Sequence, residues 1–174
     1  MNVQTTPAPM PVIGIEALTL EPRPDAWRPS PGTRGRFEMR RASVGTRLGL
    51  GKLGCSLVEV PPGNAAYPFH NHRANDELFH VIAGQGELRF GSARHPVTAG
   101  DLVGCPAGGR ETAHQLVNTG STPLRYLAIS TLIDPEICEY PDSDKVGAYS
   151  GDDLAGGLVQ FSRGAQALDY WDGE

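Results

Sequence analysis

Long apolar runs are missing from this 174-residue chain, and with them any segment of membrane-spanning length. Basic clusters are missing too. The formal net charge is −5 and the lysines and arginines are scattered, so no stripe exists to neutralise a phosphate backbone, and neither a nucleic-acid nor a membrane partner is expected. Cysteine is scarce: Cys55, Cys105 and Cys138 stand far apart with no Cys-x-x-Cys pair, which excludes a dithiol redox centre or a cysteine-based structural zinc and predicts reduced, mostly buried thiols. The opening Met-Asn-Val-Gln-Thr-Thr-Pro-Ala-Pro-Met-Pro lacks a positively charged start and an apolar segment. No secretory leader is expected from it, and the expected location is cytoplasmic.

What the chain has in quantity is glycine and proline, 22 and 15 residues, set between short apolar clusters. That pattern favours many short strands joined by tight turns, an all-β sandwich or barrel, and excludes a helix bundle. The expected organisation is a flexible, proline-rich arm over 1–11 and one domain over 12–174 with its barrel core at about 53–133. Trp27, among prolines, reads as a hydrophobic anchor for an extended arm. Gly49-Leu50-Gly51 lacks the rest of a phosphate-binding loop and reads as a turn.

Strands are expected over 53–60, 78–82, 87–90, 95–97, 114–118 and 124–132. The Gly84-Gln85-Gly86 turn is expected to fold 87–90 back on 78–82 as a hairpin. From Asp134 onward the chain reads as polar and turn-prone, with one more strand at Leu158–Phe161. Tyr170 and Trp171 are expected to dock on the domain or across a subunit boundary, and the extended segments to be covered in a homodimer.

The chemistry concentrates between Gly63 and Gly84. His70 and His72 lie two apart, and a strand has a side-chain period of two, so both imidazoles project from one face. Glu77 follows a short polar turn. Imidazole nitrogens and a carboxylate oxygen are the usual ligand set for a divalent Mn, Fe, Zn or Ni ion. His80, three after Glu77, falls on the opposite face and reads as structural, and Cys105 reads as a buried small hydrophobe.

Two blocks, Gly63-x6-His70-x-His72-x4-Glu77-x6-Gly84 and Gly100-x5-Pro106-x-Gly108-x5-His114-x3-Asn118, resemble the two signature motifs of the cupin superfamily. The resemblance implies a double-stranded β-helix, a jelly-roll barrel here carrying extended N- and C-terminal arms, with a metal held by His70, His72, Glu77 and His114. One residue more than the family pattern lies between Gly63 and His70, and three more between Gly108 and His114. The longer second loop places Arg110 and Glu111 beside the path of a substrate. Cys-Glu-Tyr-Pro-Asp-Ser at 138–143 and the ending Asp-Tyr-Trp-Asp-Gly-Glu resemble small single-domain bacterial cupins, many described as sugar-phosphate-isomerase-like.

The function expected from this is a metalloenzyme acting on a small molecule with adjacent oxygens, with isomerase-like enediolate chemistry on a sugar or sugar phosphate. Glu77, if it detaches, Glu111 and Tyr67 are the expected catalytic groups. Arg110, Arg73 and Tyr140 are the expected substrate contacts, with Lys145 a further cation for a phosphate. A metal-dependent dioxygenase or decarboxylase is one alternative, and a non-catalytic module holding metal and a small ligand is another.

Overall fold

The computed structural model describes residues 11–33, 35–151, 156–164 and 168–173. The arm expected over 1–11 lies, apart from Pro11, outside the described residues. Strands run in chain order as β1 (Glu21–Pro22), β2 (Arg40–Ser43), β3 (Leu53–Val60), β4 (Asn71–His72), β5 (Glu77–Ala83), β6 (Gln85–Phe90) and β7 (Ala93–Thr98). They continue as β8 (Leu102–Cys105), β9 (His114–Val117), β10 (Leu124–Thr131), β11 (Glu136–Tyr140), β12 (Lys145–Ser150) and β13 (Leu158–Arg163). Among the described residues the only helical pieces are single 3-10 turns, and no helix is long and apolar enough to cross a membrane.

One face of the barrel is the sheet β1-β2-β3-β10-β5-β8. The other is made by β7-β6-β9 and β13-β12-β11-β4, joined through backbone bridges between Ala65 and Val117 and between His70 and His114. This is a double-stranded β-helix, as expected. Alternation along the strands supplies the core. Val58 and Val60 of β3, Phe79 and Val81 of β5, Val103 and Cys105 of β8, and Leu124 and Tyr126 of β10 turn inward and meet Leu88, Val97 and Leu116 from the opposite face. Cys55, Cys105 and Cys138 are all free thiols, the last two buried.

The structure corrects three expectations. First, β5 and β6 are not a hairpin: β5 pairs with β10 and β8, and β6 with β7 and β9. The glycines between them serve a change of sheet. Gly84 has φ +83°, and a Cβ there would sit 2.5 Å from the Pro123 carbonyl oxygen; one on Gly86 would sit 2.4 Å from that of Val117. The backbone crosses where no side chain fits. The real hairpin turn is one step later, at Gly91-Ser92 between β6 and β7.

Second, the stretch after Asp134 is a sheet rather than turns. Pro135 and Pro141 flank β11, and between them Glu136, Cys138 and Tyr140 alternate with Ile137 and Glu139. β11 pairs with β4, Cys138 opposite His72, so the barrel continues well past 133 and its added strands border the histidine pair. Third, of the two places expected for Tyr170 and Trp171, the described part of the domain does not hold them, which leaves the subunit boundary. They pack edge to face against each other and are 84% and 71% exposed. Trp27 does act as an anchor, its ring 6.4 Å from that of Phe161 in β13.

Candidate metal centre

Local strand geometry aims the imidazoles. His70 and His114 face each other across a two-bond antiparallel pair, His70 N–H to His114 O at 3.1 Å and His114 N–H to His70 O at 2.7 Å. Their rings therefore lie side by side, 4.8 Å between centres, and His72, two residues on, brings its ring to 5.0 Å from that of His70. Glu77 reaches them from the first residue of β5 on the opposite sheet. Its Oε2 lies 2.8 Å from Nε2 of His114, 3.5 Å from Nε2 of His72 and 3.9 Å from Nε2 of His70.

The other ring nitrogens are held from behind. His70 Nδ1 meets the Pro68 carbonyl at 2.8 Å and His114 Nδ1 the Thr112 carbonyl at 3.2 Å. His72 Nδ1 meets Sγ of Cys138 at 3.2 Å and Oε2 of Glu136 at 3.5 Å. Backbone acceptors on Nδ1 fix the tautomer that leaves Nε2 free to donate its lone pair, which is how metal-ligating histidines are oriented. His70, Glu77 and His114 bring one ligand atom each within 4.8 Å of one another, a set that fits a divalent transition ion; His72, 3.5 Å from the same Glu77 oxygen, stands at its edge and groups as closely with Glu136 and Cys138.

The electrostatics set the histidines apart: His70 is ready to ligate, whereas an ion would have to displace a proton from His72. Burial and the neighbouring His114 push His70 down to about 4, so it is neutral at neutral pH and able to ligate. Burial opposes a charge on His72, but the contacts with Cys138 and Glu77 outweigh it and raise the ring to about 10. Burial likewise opposes ionisation of Glu77, and the His114 and His72 contacts overcome it, holding the carboxyl well below the usual range.

The turn linking His72 to Glu77 is organised by a residue with no counterpart in the two motifs. Glu136 takes backbone N–H groups from Arg73, Ala74 and Asn75 at 3.0, 3.1 and 3.0 Å, and its own neighbour Ile137 at 2.8 Å, besides the Asn75 side chain. In the second block Asn118 is structural: it is fully buried, and its side chain donates to the Val60 and Thr122 carbonyls and accepts from Gly120 N–H.

Of the other residues singled out from the sequence, two stand beside the centre. Tyr67 lies with its ring 6.2 Å from that of His70, and Tyr140 stacks at 6.1 Å with its hydroxyl 2.7 Å from that of Tyr149. Arg73, Arg110 and Glu111 do not join it. Asn71 and Glu139 face away from His72 and Cys138, and on that outer face Glu139 pairs with Arg73 at 2.8 Å and Arg110 at 3.6 Å. Arg110 also binds Asp144 at 2.8 Å, and Glu111, exposed, folds back onto Gly109 N–H at 3.0 Å. Lys145 lies over the Tyr140 ring, 4.7 Å from its centre.

The sequence reading missed Glu136 and Cys138. The alternation across 136–140 was the available signal, outweighed by the prolines and acidic residues around it.

The fold and the His-His-Glu-His cluster together define a small metal-type β-barrel. Residues 56–130 match the family described as the cupin domain, so this stretch of the chain is a cupin domain. An oxalate-binding protein of Thermotoga maritima is 29% identical over 76 residues, 44% of this chain and 60% of that protein. The chain thus spans less than two thirds of the curated relatives it matches, 60% and 58% of their lengths. Among solved structures, one described as a sugar phosphate isomerase candidate from Acidithiobacillus ferrooxidans is 26% identical with TM-score 0.68, covering 76% of this chain and 80% of that one. A cupin-superfamily sugar phosphate isomerase from Silicibacter pomeroyi shares the fold at 24% identity and TM-score 0.76, covering 93% and 98%.

Proposed function

We propose that the chain binds a divalent transition metal through His70, His72, Glu77 and His114 and acts on a small oxygenated metabolite, in isomerase-like proton transfer on a sugar or sugar phosphate. The observation that carries this reading is the convergence of three imidazole Nε2 atoms within 3.9 Å of one Glu77 oxygen. The likeness to the Acidithiobacillus protein supports the substrate class. When bound, the ion supplies Lewis acidity toward paired substrate oxygens.

The chain's own residues do the rest. The Pro68 and Thr112 carbonyls keep Nε2 of His70 and His114 turned inward. The Tyr140 ring stacks on that of His70, 6.1 Å between centres, while its hydroxyl is held by Tyr149, so Tyr140 walls the site beside the imidazole.

A second reading is ligand binding without turnover. It is favoured by one feature: among the described residues the carboxylate that reaches the inner nitrogens of all three histidines is Glu77, itself a ligand in this reading, which leaves no separate carboxylate base. The name of the Thermotoga relative supports it as well.

Metal analysis of purified protein tests the shared part. Near-stoichiometric metal that His72→Ala and His114→Ala abolish is the expected result, and full retention in both variants overturns it. A panel of sugar phosphates, dicarboxylates and diketones, with oxygen uptake recorded, then separates isomerase from oxygenase. Tight binding with no turnover under any metal selects the second reading.

A further inference from the structure

Arg23 follows β1 on the N-terminal segment and sends its guanidinium toward the barrel interior. One Nη donates to the carbonyl of Ala66, a core residue only 1% exposed. The guanidinium carbon lies 5.0 Å from the centre of the Tyr67 ring, and that same ring lies 6.2 Å from the ring of His70. Arg23 Nε is buried and has no hydrogen-bond partner.

No carboxylate among the described residues forms an ion pair with Arg23, unlike the other arginines near the site. Arg89 is bound to Asp142 by two 2.7 Å contacts, Arg73 to Glu139 and Arg110 to Asp144. Burying a cation without a direct ion pair is costly: burial and the neighbouring Arg41 lower the Arg23 pKa, and Tyr67, Tyr126 and Glu38, the last beyond ion-pair distance, only partly offset them. A planar fork with free donors, facing inward past one aromatic ring from a metal ligand, matches a carboxylate or phosphate in geometry and charge.

We propose that Arg23 is the anion-recognition residue of the site: its guanidinium takes the carboxylate or phosphate of a small metabolite whose other end reaches the His70, His72, Glu77 and His114 cluster. The inference rests on the metal-site reading and extends it to substrate class. It also explains how a barrel whose expected anion contacts, Arg73 and Arg110, are already paired on its outer face can still hold a charged ligand.

The test is calorimetry on metal-loaded, full-length protein with matched probes, ribose 5-phosphate against ribose and 2-oxoglutarate against 2-oxopentanoate. In the wild type at least one charged probe is expected to bind at least about tenfold more tightly than its uncharged partner. Arg23→Met brings the pair to within about twofold, and Arg23→Lys falls between them. The phosphate and carboxylate arms show which anion is preferred.

Equal affinities in the wild type, no binding of any probe, or an unchanged preference in Arg23→Met each overturn the proposal. A lowered Tm with the preference intact would make Arg23 a strut for the N-terminal segment and overturns it too. Metal content is read on the same samples. Protein that takes up no metal refutes the metal site, while the charge preference and its loss in Arg23→Met are scored independently on that protein.

Discussion

Sγ of Cys138 lies 3.2 Å from Nδ1 of His72, on the side of the ring opposite Glu77, whose Oε2 is 3.5 Å from Nε2. The two residues are direct partners across β4 and β11, so this contact is fixed by register rather than by a flexible loop. With Glu136 it braces the imidazole from behind. Removing such a brace typically weakens metal binding by about 10- to 100-fold without removing a ligand. Cys138→Ala is therefore expected to retain metal but to lose it to a chelator at a lower concentration than wild type. Indistinguishable chelator curves would show that the thiol only fills space.

Gly84 carries both a positive φ and a close backbone crossing, a combination no other residue accommodates. Gly84→Ala is expected to cost about 2–3 kcal/mol, from the strained backbone and from a Cβ pressed against the Pro123 carbonyl. Gly63→Ala, at φ +76° but with nothing within 4 Å, lacks the clash and is expected to cost less. Urea unfolding of the two variants checks the order, and equal midpoints would contradict the sheet-crossing account.

Glu139 links acid stability to the outer face of the site. Burial opposes its charge, but hydrogen bonds from Asn71 and Arg73 outweigh burial and hold it below its ordinary 4.5. A carboxyl depressed in the folded state stabilises the fold above its unfolded value and loses that contribution as pH falls through the folded one. The wild-type Tm is thus expected to drop further than that of Glu139→Gln as the pH is taken from neutral to below the carboxyl's ordinary 4.5. Parallel curves would assign the acid sensitivity to other carboxylates.

The ligand-bearing stretch was legible in the sequence because it follows strictly local rules. His70 and His72 share a face by the two-residue period, and Gly100, Pro106 and Gly108 mark the turns that lead to His114. What the sequence concealed depends on which strands become neighbours. Gly84-Gln85-Gly86 is as good a hairpin signal as Gly91-Ser92, and only the opposing Pro123 and Val117 backbones reveal one as a change of sheet. Glu136 resembles any acidic loop residue until β11 pairs with β4 and sets its carboxylate under the 73–75 amides. Arg73 and Arg110 were plausible anion contacts by position, but Glu139, placed opposite Asn71 in that ladder, takes both.

The strand that braces His72, β11, and the segment that delivers Arg23 both lie outside residues 56–130, the part held in common with the cupin domain family. The shared barrel is in that sense a socket, and the flanking segments act as its adaptor. Glu136 and Cys138 behind His72, and Arg23 over the Tyr67 ring, all come from these flanks, so substitutions there alter the surroundings of the cluster while leaving the strands that carry His70, His72, Glu77 and His114 untouched.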